Sequence, residues 1–188
     1  MAANPELASD ERGNLLSFLA QQRHVLRVAA HGLTDEQARA TPTASRLSVG
    51  GLIKHVTQVE RNWINIVLQR PGDAQEDYWD GFVLREDQSL AGLEADYALA
   101  ADETSVAIAK IDNLSQPVPV PKGVPWFPQD LDAWSVRWVL GHLIQETARH
   151  AGHADIVRES IDGATAMSLM AAAEGWPETP WVKPWTPA

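Results

Sequence analysis

The stretch His142–His153, HLIQETARHAGH, holds three of the chain's six histidines and one glutamate, all of them groups that bind protons or metal ions. An ideal helix turns about 100° per residue. With His142 at zero, Glu146 falls at ~40°, His150 at ~80° and His153 at ~20° on that spacing. The four side chains share one face. Val136, Leu140, Leu143, Ala151 and Ala154 fill the adjoining face, so the polar stripe borders a core. Ionisable groups in that position cost several kcal/mol unless paired, hydrogen-bonded or metal-bound.

Glu146 and His150 are four residues apart and therefore neighbours on one helix surface. That spacing lets a carboxylate oxygen and an imidazole nitrogen reach one cation. A third donor has to come from another helix, and His55 in GLIKHVTQ is the natural one. Leu52 precedes it by three residues and Val59 follows by four, which sets it beside a buried stripe. His24 and His31, in the first helix, are weaker candidates. The order Glu-x-x-x-His is not the HExxH of zinc peptidases. Spacing alone leaves three readings open: a metal site, hydrogen-bonded core histidines, or a solvated polar face.

The elements that position these residues are helices. Ser9 can cap DERGNLLSFLAQQRHVLRVAAHGL, which ends at His31-Gly32. Thr34 and Gln37 form a capping box for a short helix. Ser48 caps a second long helix, whose buried stripe is Val49, Leu52, Ile53, Val56, Val59, Trp63, Ile66 and Val67; Pro71-Gly72 stops it. Residues 71–88 read as an acidic loop. A third long helix is expected over Ser89–Ile111, with Leu90, Leu93, Tyr97, Ala101, Ile108 and Ile111 inward. The five prolines between 117 and 128 exclude a helix across 112–133, which reads as a long extended connection. Ser135 caps the fourth long helix, which carries the histidine stripe to Gly163. ATAMSLMAAAEG is a further short helix, and no convincing strand alternation is present. The expectation is an all-α four-helix bundle over residues 1–175 with long crossover loops, followed by a Pro/Trp-rich tail, 176–188, whose three tryptophans suggest that it packs on something.

Composition bounds the chemistry. With no cysteine, disulfides, thiolate metal sites and a cysteine nucleophile are all excluded. The net charge of −10 scatters fifteen basic residues among twenty-five acidic ones, the opposite of a nucleic-acid or anionic-membrane binding surface. The start of the chain lacks a signal-peptide run, and the apolar stretches are too short to span a bilayer, so the expected setting is soluble and cytoplasmic. The eight tryptophans either fill a small core or line an apolar pocket.

RWVLGHLIQETARHAGHADIVRESIDG closely resembles the last long helix of the DinB-like metalloprotein superfamily, and LSVGGLIKHVTQVERNW resembles its second. The resemblance covers both motif helices and the four-helix layout but not the tail. It is nearest the branch containing mycothiol-dependent maleylpyruvate isomerase and related thiol S-transferases. It implies a DinB/YfiT-like bundle holding one divalent metal, usually zinc, on three side chains. Carried over by motif, these are His55, Glu146 and His150. Glu146 marks the isomerase type, because many other members carry histidine there. His142 and His153 are then neighbours and not ligands, which support the ligands, face a substrate or play a purely structural part; Arg149, near the histidine face, is either a surface arginine or a group that holds a substrate carboxylate.

Two histidines and one carboxylate leave coordination positions open, the pattern of catalytic zinc, although the same set suits non-haem iron. The resemblance implies a low-molecular-weight thiol of mycothiol type as co-substrate, attacking an electrophilic small molecule. A zinc-water hydrolase and a non-catalytic metal-binding bundle are the alternatives. Partners are small molecules, and the family's habit implies a homodimer.

Overall fold

The computed structural model describes residues 4–71 and 79–187. Helix α1 spans Glu11–Ala29, and its cap is Asp10 rather than Ser9. The Asp10 carboxylate accepts the Gly13 N–H at 2.7 Å. Aspartate and serine cap about equally well, so either neighbour could take the role. The helix stops two residues short of His31. Gly32 follows at φ +72°, where a Cβ would lie 2.7 Å from the Trp185 ring.

The expected capping box opens α2 (Asp35–Arg39), with Thr34 and Gln37 bonded reciprocally at 3.2 and 3.0 Å. Ser48 caps α3 (Val49–Val67), Ser89 caps α4 (Leu90–Ala109) and Ser135 caps α5 (Val136–Asp162). Gly163, at φ +75°, terminates α5, and α6 follows at Ala166–Ala173. In α4 the buried line runs through Ala100 and Thr104 rather than Ala101.

Both long connections contain more than loop. Trp79–Phe82 forms a 3₁₀ turn in the first; the rest of that acidic segment, 72–78, lies outside the described residues. In the second, the expectation of no strands is corrected. Pro117–Pro119 (β1) pairs antiparallel with Ala133–Ser135 (β2), setting Val118 opposite Trp134. Two three-residue strands are too short to show alternation, and prolines are tolerated because a two-stranded ladder is all edge.

Named contacts give the helix directions. Glu11 bonds Arg137 where α1 and α5 begin, and Arg158 donates to Ala29 O and His31 O where they end, so the two run parallel. Lys54 reaches Gln88 just before α4, and Glu60 bonds Thr104 further along it, so α3 and α4 are also parallel. The Arg23–Glu60 pair and the α3–α5 ring contacts make the two pairs antiparallel to each other. Parallel α3 and α4 require the 68–89 segment to return the whole length of the bundle. It brings Phe82 and Leu84 back onto the start of α3, which is why residues 49–57 there are buried on every side.

The core has two main parts. One gathers Leu26, Leu52, Ile53, Val56, Phe82 and Ala154; the other gathers Leu19, Trp63, Ile108, Trp134 and Leu140. A third small cluster joins α1 and α6 with Trp176 and Trp185 of the tail. Trp185 also lies over the guanidinium of fully buried Arg158, 4.8 Å from ring centroid to Cζ. No helix among the described residues is long and apolar enough to cross a membrane.

Candidate metal centre

His55 stands where α3 is enclosed by the returning crossover. Gly51 makes that enclosure possible: a Cβ there would lie 1.9 Å from the Phe82 carbonyl oxygen. Gly50 does the same for Leu84, whose side chain comes within 2.7 Å of the Cβ position. The close approach lays the Phe82 ring on the His55 imidazole, stacked at 3.8 Å with an 18° interplanar angle. A stacked, buried imidazole has lost most of its rotamer freedom and points toward α5 in a fixed attitude.

On α5, Glu146 and His150 face it. Glu146 Oε1 lies 3.1 Å from His150 Nε2 and 3.5 Å from His55 Nε2. The His55 and His150 rings meet edge to face, with centroids 4.8 Å apart. Among the described residues this is the one group of three or more His, Asp or Glu side chains whose donor atoms all lie within 4.8 Å of one another. The trio named from sequence is therefore brought together by two antiparallel helices.

Charge and burial favour the metal-competent protonation states. Hydrogen bonds from His150 and then His55 hold the Glu146 carboxyl well below the usual carboxylate range. Burial pushes the His55 imidazole down from its ordinary value, so it stays neutral near pH 7. An ionised carboxylate and neutral imidazoles are the forms that bind cations. Donors bound tetrahedrally to zinc at ~2.0–2.1 Å would stand ~3.3 Å from one another. The two contacts at Glu146 match that separation, so the residues fit a divalent ion.

The neighbours fall in different places. His153 Nδ1 lies 3.4 Å from His150 Nδ1, behind the ligating nitrogen. His142 sits one turn before Glu146, its ring parallel to Trp138 (5.4 Å, 1°) and 4.6 Å from Trp63. It joins the aromatic cluster and not the donor trio. Burial lowers the pKa of both His142 and His153, and the exposed Arg149 adds to the effect. His24 is engaged elsewhere, 2.8 Å from Glu174, and His31 meets the edge of Trp185. Two open clefts, of about 410 and 430 Å³, lie away from the trio, one between α3 and α4 and the other beside the end of α1.

Sequence reasoning did not find Phe82 or the glycines that admit it. The signal was the Gly50-Gly51 pair inside a strongly apolar helix, where glycine costs helix stability and therefore marks a close backbone approach.

The comparisons with known proteins agree with this geometry. The family model described as mycothiol-S-transferase matches residues 14–163. The chain belongs to this family. The DinB-like resemblance of the two motif helices is thereby borne out. Membership of the mycothiol-S-transferase family takes in all four long helices except the first residues of α1, and leaves α6 and the tail outside the match. A crystal structure of a conserved protein from Enterococcus faecalis shares the fold, with a TM-score of 0.65 and 16% identity. It covers 84% of this chain and 100% of its own. No curated protein matches the sequence.

Proposed function

We propose that His55, Glu146 and His150 hold one divalent metal ion, zinc as the family resemblance implies, and that the protein transfers an external low-molecular-weight thiol to an electrophilic small molecule. The observation that carries this reading is the convergence of three metal-competent donors from two helices in a member of the mycothiol-S-transferase family. The absence of cysteine adds that the sulfur must come from outside the chain.

When bound, the metal supplies an open coordination position at which a thiol loses its proton near neutral pH. The chain's own residues do the rest. Phe82 fixes the His55 ring and shields it from water. His153, placed at Nδ1 of His150, leaves Nε2 of that ring directed at Glu146 and the shared centre. Glu146 contributes the negative charge that offsets the cation. The low-pKa carboxylate stays ionised throughout and does not serve as the proton donor. In the transfer, a bond forms between sulfur and the electrophilic carbon, the bond from that carbon to its leaving group breaks, and the thiol proton passes to solvent.

The test is turnover of chlorodinitrobenzene by zinc-loaded protein with and without a thiol. Thiol-dependent turnover that disappears in His55→Ala is expected. Turnover without thiol would make the protein a hydrolase at the same centre. Stoichiometric zinc with no turnover under either condition would make it a binding protein.

A further inference from the structure

The cleft of about 410 Å³ between α3 and α4 is separate from the metal centre. Its first lining residue on α3, Arg61, stands six positions beyond His55, ~9 Å along the axis, and the cleft runs on to the C-terminal ends of both helices. Because α3 and α4 are parallel, those ends lie side by side. Arg70, just past α3, and Lys110, which caps α4, therefore line the same hollow.

The apolar part of the lining is Ile64, Ala100 and Ala107, all buried, with Leu68 beside them. In the polar part, Arg61 is already engaged. It donates to both Asp96 oxygens at 2.8 and 2.9 Å and to Glu103 at 3.0 Å. Glu103, the one acid of the lining, is thereby offset. Arg70, Lys110 and the Asn65 amide remain. None of these three side chains hydrogen-bonds or pairs with an acid among the described residues. Gln69 sets Arg70 in place. It is the only residue other than glycine at positive φ among those described, at +52°, and the left-handed turn brings the Arg70 N–H to Asn65 O at 2.8 Å. Glycine would take that conformation without strain.

Cations at helix C-termini ordinarily complement the carbonyl dipoles, which accounts for one charge at each end. It does not account for a concave surface that joins the two charges, adds a free amide donor and sets all three beside an apolar wall. The volume is that of a small-molecule site. In a chain of net charge −10, two unpaired cations in one hollow select an anion.

We propose that this cleft binds a phosphate monoester with a compact apolar body. The dianion matches the two free cations, and its three terminal oxygens match the guanidinium, the ammonium and the amide. The organic part rests on Ile64, Leu68 and Ala107. The site stands independently of the thiol-transfer reading.

Phenyl phosphate is titrated into the full-length protein while backbone amides are followed by NMR. Saturable shifts are expected over residues 61–70 and 100–110, with a dissociation constant of about 1 mM, the order that so small a ligand reaches. Benzoate, with one charge, should bind about fivefold more weakly, and uncharged phenol more weakly still. Arg70→Gln and Lys110→Gln should each weaken phenyl phosphate about fivefold and the double variant further, with the thermal midpoint unchanged because both side chains are exposed. Benzoate binding as tightly as phenyl phosphate would overturn the proposal. So would shifts centred on His55 and His150, no saturable shift up to about 10 mM, or an affinity unchanged in the double variant.

Discussion

Nε2 of His55 and Oε1 of Glu146, ninety-one positions apart in the chain and on antiparallel helices, stand 3.5 Å from each other. Helix α3 carries His55 beneath the crossover, whose Phe82 ring stacks on the imidazole. A change on the far side of His55 should therefore be felt at the centre. Gly51→Ala drives a methyl into the Phe82 carbonyl and forces the backbone there to move. The expected cost is about 1–3 kcal/mol of stability. Zinc affinity, measured by competition with a chelator, should fall by roughly tenfold as the stacked ring shifts. Unchanged affinity would show that Phe82 does not fix His55.

His153 touches His150 at the nitrogen away from Glu146. Outer partners of this kind typically contribute ~10–100-fold in metal affinity. His153→Ala should weaken zinc binding within that range and leave the thermal midpoint of the metal-free protein unchanged, since the side chain is exposed. Chelator competition beside a thermal melt separates the two effects.

Glu60 is buried between Arg23, whose Nε donates to it at 3.0 Å, and Thr104, whose hydroxyl donates at 2.5 Å. Glu60→Ala leaves the Arg23 guanidinium buried without its counter-charge. The expected loss is about 3–5 kcal/mol in denaturant unfolding. A loss under 1 kcal/mol would mean that water or another carboxylate reaches Arg23.

Asp155 gives the pH dependence a sign. Burial, with the Glu159 charge adding to it, raises its carboxyl from 3.8 to about 6. The native state then keeps a proton that the unfolded chain releases. Stability falls as pH rises from about 4 to about 6, and the penalty is full above that window. Asp155→Asn removes it. After allowance for partial solvent screening, the variant should be about 1–2 kcal/mol more stable than wild type at pH 8 and no different below pH 4. A gain of equal size at both pH values would contradict the shift.

The sequence made the donor trio legible because a helical repeat puts Glu146 and His150 on one face and sets His55 beside the buried stripe of its own helix, and the family resemblance pointed to the same three residues. Capping residues placed the starts of α2, α3, α4 and α5, since Ser48, Ser89, Ser135 and Thr34 each satisfy an otherwise orphaned N–H. Asp10 over Ser9 was a choice between two competent neighbours that only tertiary placement decides. The β1–β2 pair left no trace because its alternation is shorter than any periodic signal. Phe82 was hidden for a different reason: its partner is set by the return path of a crossover, and the path follows from the parallel order of α3 and α4, which no local pattern encodes. The tail's tryptophans hinted at packing, and Trp185 does pack, on Arg158 and beside Gly32.

The central claim is that His55, Glu146 and His150 bind one metal together. The direct measurement is elemental analysis of protein reconstituted with zinc and dialysed, wild type beside His55→Ala and Glu146→Ala, with folding of each checked by circular dichroism. The account predicts about one zinc per wild-type chain and a small fraction of that in either folded variant, because two remaining donors rarely hold zinc. Full zinc occupancy in both variants, or none in the wild type, would contradict it.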